Sequence, residues 1–170
     1  MRKFPAIACL FFAMALNAQK AQDFSGVWHI IPDKVVSKVY LPKTPPDSAP
    51  PIPPPPPPDH EYTLEHIRLS GQVLKISGGE AGTTAVYTID PSGKEVSDPI
   101  PDAPGSIRTA RSHWSEGKLV TEWKMLRDGE VFMHGTDTRS LTADGQQIVE
   151  RVIESPRHRA DVRLVLEKTK

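Results

Sequence analysis

Six histidines (His29, His60, His66, His113, His134 and His158) offer the widest range of chemistry in this chain. Neutral imidazole binds zinc, and three of them gathered across neighbouring strands would suffice for a site. Nothing in their spacing demands it, so solvated or hydrogen-bonded histidines are the expectation. Ser112 and His113 are adjacent, and successive side chains on a strand point to opposite faces, so they cannot act on each other as nucleophile and base. Glu65, Glu122 and Glu150 fall in strand-like runs; two carboxylates on one interior face would permit acid-base chemistry, whereas outward-facing ones only solubilise, and the outward placement is expected. There is no Gly-x-Ser-x-Gly elbow, no glycine-rich phosphate loop and no His-Glu-x-x-His pair. Cys9 is the single cysteine and lies in the apolar N-terminal run, which leaves the remainder without a thiolate, a disulfide or a sulfur ligand. No catalytic, cofactor-binding or metal-binding residue is assigned, and the chain reads as a non-enzyme.

The elements that would position any site are strands. Hydrophobic positions alternate in short runs at 24–31, 62–69, 72–77, 83–89, 107–114, 118–126, 131–141, 147–153 and 161–167, the period of a half-buried strand. Ser70-Gly71, Gly78-Gly79, Ser92-Gly93, Glu116-Gly117, Asp128-Gly129 and Asp144-Gly145 separate them with residues that tolerate positive φ. No stretch has helical periodicity. The fold class is therefore all-β: an antiparallel up-and-down meander of about 8 to 9 strands, forming a barrel or a strongly curved sheet, with a two-sheet sandwich as the alternative. Residues 94–106, with Pro99, Pro101 and Pro104, read as a long loop able to cover an opening.

Residues 1–18 read as a cleavable signal peptide: Arg2 and Lys3, an apolar run to Leu16, then Ala18 at the cut. The run is shorter than the roughly 20 residues that span a bilayer, so a secreted or periplasmic domain covering residues 19–170 is expected, with no transmembrane segment after cleavage. Basic and acidic residues balance at 21 each, with no cluster of Lys or Arg, which argues against nucleic acid or anionic lipid as the main partner. Residues 42–58 are mostly proline. Lacking backbone donors, such a stretch suits polyproline II rather than a ladder; it is either an inert insertion or a docking segment for an aromatic-lined protein groove.

Phe24-Ser25-Gly26-Val27-Trp28, followed by a meander with Asp-Gly turns, resembles the secreted bacterial lipocalin-like domains. Thr136-Asp137-Thr138 partly matches the lipocalin Thr-Asp-Tyr motif, although here it falls inside a strand run. The resemblance implies a barrel in which Gly26 lets the first strand bend at the closed end, Trp28 plugs that end, and a basic residue of the last strand, Arg163, lies across the indole.

The inward faces stay ambiguous. Ile107, Thr109, Arg111 and His113 oppose Arg108, Ala110, Ser112 and Trp114; Met133, Gly135, Asp137 and Arg139 oppose Phe132, His134, Thr136 and Thr138. Mixed faces suit a barrel around a cavity, and equally suit poorly covered strands. Leu119, Thr121, Trp123 and Met125 share one face and are the expected interior wall and ligand-binding set. The function expected is binding of a small apolar or amphipathic molecule without catalysis or cofactor. The alternative is a structural or interaction protein of the envelope, with a filled barrel and a proline-rich docking loop.

Overall fold

A computed structural model describes residues 22–40, 64–78, 84–100 and 103–169. Residues 1–18, read above as a signal peptide, and the proline-rich tract at 42–58 lie outside the described residues. Eleven strands form one antiparallel sheet: β1 (Gly26–Ile30), β2 (Val36–Tyr40), β3 (Leu64–Ser70), β4 (Val73–Gly78), β5 (Thr84–Ile89), β6 (Val96–Pro99), β7 (Ser106–Ser115), β8 (Lys118–Arg127), β9 (Glu130–Leu141), β10 (Gln147–Glu154) and β11 (Arg159–Lys168). The order around the sheet is β5-β4-β3-β1-β11-β10-β9-β8-β7-β6. The first strand pairs with the last, Trp28 opposite Lys168 and Ile30 opposite Leu166, so the meander curls into a nearly closed barrel.

Closure leaves one seam, between β5 and β6. Asp98 bridges it: its two carboxylate oxygens accept from the Thr88 amide and the Thr88 hydroxyl, each at 2.7 Å. The β7–β8 and β8–β9 hairpins close through Glu116-Gly117 and Asp128-Gly129, where both central residues have positive φ (48° and 78°, 52° and 84°). That pattern matches the right-handed twist of the flanking strands.

Two strands escaped the sequence reading. β2 runs on along the edge of β11 after a 3-10 turn at Pro32–Lys34, pairing Val36 with Arg163 and Tyr40 with Arg159. Val36 and Tyr40 are both about half exposed, so burial imposes no alternation there. The long loop expected at 94–106 contains β6, an edge strand paired only with β7. Its single buried residue is the polar Asp98, and Pro99 sits where an edge tolerates a missing donor.

The apolar core fills one end of the barrel. Phe24, Trp28, Ile67, Leu74, Ile89, Leu119 and Leu166 are buried there. The Phe24 ring stacks on Trp114, with centroids 6.0 Å apart, and the Trp28 indole donates to the Phe24 carbonyl at 2.7 Å. Gly26 takes φ +125° at this end, and a Cβ there would run into the Lys168 side chain. Among the described residues no helix is long and apolar enough to cross a membrane.

Candidate functional site

Alternation fixes which side chains enter the barrel. On β7, Ser106, Arg108, Ala110 and Ser112 are buried while Ile107, Arg111 and His113 are exposed. The inward face is therefore the one with Arg108, Ala110, Ser112 and Trp114, which carries a cation among small and aromatic side chains. On β9 the buried residues are Asp137 and Arg139, which puts Met133, Gly135, Asp137 and Arg139 on the interior side. Both choices follow from register. Cross-strand partners point the same way, and Ala110, Trp123 and Gly135 are successive partners across β7, β8 and β9.

Charge lines the interior from the level of the apolar plug, where Glu65 is the cross-strand partner of Trp28 and Arg139 that of Leu119, toward the other end. Arg139 donates to both oxygens of Glu65, at 2.7 and 3.2 Å, joining β9 to β3 across the lumen, and Gln147 Nε2 donates to the same carboxylate at 3.4 Å. Arg151 grips Asp137 with two bonds of 2.8 and 2.6 Å, and the Trp123 indole donates to Asp137 at 2.9 Å. Nearer the β6–β7 hairpin, Arg108 lies over the Tyr87 ring at 4.8 Å and 4.0 Å from Asp98. Burial opposes ionisation of Glu65 and Asp137, but the adjoining guanidiniums outweigh it and hold both carboxyls below their ordinary range. Asp137 in turn raises Arg151. Burial dominates at Arg108 and lowers it, because Asp137, Tyr87 and Asp98 compensate only partly.

No protein-family model matches the chain, and no curated protein is detectably similar to it.

The residues singled out from the sequence divide between the two halves. Leu119 belongs to the apolar plug. Thr121 is buried and shares a 2.9 Å hydrogen bond with Ser112 across β7 and β8. Trp123 is buried in the polar half, and Met125 follows on the same face, partly buried and opposite both Arg108 and Met133. Trp123 does not stand in an apolar wall, since its neighbour is the Asp137–Arg151 pair. Gly26 and Trp28 sit at the plug, but Arg163 is exposed and faces away from it. The cation over Trp28 is Lys168, with Nζ 5.6 Å from the ring centroid. The reason is register: Trp28 pairs with Lys168, five residues beyond Arg163, whose own partners are Glu150 and Val36.

Of the three strand carboxylates, Glu122 and Glu150 are exposed, whereas Glu65 points inward to Arg139, against the outward expectation. His113 is exposed and Ser112 is inside. A serine-histidine contact does occur in the β10–β11 turn, Ser155 Oγ to His158 Nδ1 at 3.1 Å. That hydroxyl already accepts from the Arg157 and His158 amides and reaches the His158 carbonyl, so it staples the turn. Among the described residues no three His, Cys, Asp or Glu gather to hold a metal. The same rim carries a shallow depression of about 310 Å³, lined in part by Phe132, Met133, His134, Glu154 and Pro156.

The charged cluster was only half visible in the sequence. Period-two alternation groups Asp137 with Arg139 and places Arg108 on a single face, but which face turns inward depends on closure. Glu65 and Arg139 are 74 residues apart, and no local pattern joins them.

Proposed function

We propose that this chain is an exported, non-catalytic lipocalin-like module that holds a small amphipathic molecule in the polar half of its barrel. The observation carrying this reading is the split interior. One end is closed by Phe24, Trp28 and Trp114, while the other turns Trp123, Met125 and Met133 inward beside oriented charges. Ligand sites combine apolar and aromatic walls with a few placed polar groups, and this half of the lumen has both. Native mass spectrometry of protein purified from its own source, looking for a retained small molecule, is the direct test. An environment-sensitive apolar dye should bind with saturable stoichiometry near one. Trp123→Ala should weaken that binding more than Trp114→Ala, because Trp114 stacks on Phe24 in the plug.

A second reading, an envelope structural or interaction protein with a filled barrel, is favoured by the Glu65–Arg139 and Asp137–Arg151 pairs. These neutralise one another without a ligand. In that case the proline-rich segment would be the part that meets a protein partner, and no dye or metabolite would bind saturably.

A further inference from the structure

Three buried side-chain atoms among the described residues have no hydrogen-bond partner: Arg108 Nη1, Arg139 Nε and Gln147 Oε1. Two of them belong to groups otherwise engaged, Arg139 by both oxygens of Glu65 and Gln147 through its amide nitrogen. Arg108 differs. Its side chain is 6% exposed, and its nearest carboxylate, Asp98, is 4.0 Å away, beyond hydrogen-bond distance, and is held by Thr88 across the seam. Asp98 offsets the charge without accepting from Nη1. An unmet donor on a buried cation carries a desolvation cost that native interiors rarely leave standing.

The surroundings of that donor describe what would meet it. Met125 is the cross-strand partner of Arg108, and Met133 that of Met125, so two flexible thioether chains share its inward face and suit an apolar body of variable shape. The Tyr87 ring covers the guanidinium on another side. Two anions, Asp98 and Asp137, act on the charge of Arg108 and would repel a second negative charge on a ligand.

We infer that the ligand is an amphipathic monocarboxylate, its carboxylate accepting from Arg108 Nη1 and its apolar body lying against Met125 and Met133. This rests on the binding reading above, and deepens it by naming the head group and its anchor.

The test is calorimetric titration of the purified protein with hydrocinnamate and octanoate, each beside its uncharged amide, with phenethylphosphonate as a dianion and an apolar dye as reference. Each carboxylate should bind about tenfold or more tighter than its amide, the value of a charge-assisted bond made in a buried site, and tighter than the phosphonate. Arg108→Met removes the unmet donor and should abolish the preference for carboxylate over amide. Carboxylates binding no tighter than amides to a protein that still binds the dye would overturn the head-group assignment alone, as would an Arg108→Met protein that keeps the preference. Failure of every probe, dye included, would overturn the binding reading and this one with it. The carboxylate-amide comparison uses the unaltered chain, so the assignment can be overturned even if Arg108→Met fails to fold.

Discussion

At the residue scale, Trp28 and Gly135 have distinct duties. Trp28 is buried at the plug, donates to the Phe24 carbonyl and carries Lys168 over its ring. Truncation to alanine removes a large buried ring and leaves a cavity, so Trp28→Ala should cost about 3 to 5 kcal/mol. Lys168→Ala should cost less than about 1 kcal/mol, the scale of an exposed cation-π contact, and Arg163→Ala should be close to neutral because that side chain faces solvent. Denaturant melts of the three variants would rank them, and equal losses at Arg163 and Lys168 would contradict the observed register. Gly135 was not singled out from sequence, since its φ is ordinary and it makes no turn. Its need for glycine comes from across the sheet: a Cβ there would meet the Val152 carbonyl and would stand 2.6 Å from the Trp123 ring. Gly135→Ala should therefore cost about 1 to 3 kcal/mol as overpacking, accompanied by a shift in Trp123 emission.

At the element scale, the barrel is continuous except at the β5–β6 seam. Elsewhere neighbouring strands exchange backbone ladders, whereas here two bonds to one carboxylate take their place. Asp98→Ala should cost about 2 to 3 kcal/mol, the range for bonds to a charged group. Hydrogen exchange should locate the effect, with the Thr88 amide losing protection first and the β8–β9 hairpin unchanged. Uniform loss of protection across all strands would mean that the seam does not open separately. The two strands missed from sequence share the underlying cause. β2 and β6 bury almost nothing apolar, so the alternation that betrays a strand is missing, and both are held by one ladder to a longer neighbour.

At the scale of the whole molecule, acid should loosen the barrel from within. Glu65 and Asp137 have folded-state pKa values below their ordinary values of 4.5 and 3.8. Below those ordinary values the unfolded chain takes up protons that the native state still holds off. The stability contributed by the two carboxylates is thus fully present at neutral pH, and is lost as pH falls below about 4.5 toward the folded-state values. Denaturant midpoints should be flat from pH 7 to about 5 and drop steeply below about 4, and a midpoint that rose on acidification would overturn the pairing. Breaking such pairs is costly because the partner guanidinium is left uncompensated in a desolvated interior.

Composition and periodicity were enough to determine an all-β meander and the position of most turns, because these depend on interactions within a strand or between neighbours joined by a hairpin; the tryptophan at one end was implied only by the family resemblance. They grouped Leu119, Thr121, Trp123 and Met125 on one face, since side-chain period two is a local property. Only the tertiary structure decided that Arg108, Asp137 and Arg139 face inward, that Glu65 meets Arg139, and that Lys168 rather than Arg163 lies on Trp28. Each of those depends on closure of the sheet and on cross-strand register. A one-residue slip exchanges the two faces of a strand, and where both faces carry charge no hydrophobic pattern remains to say which one the barrel encloses.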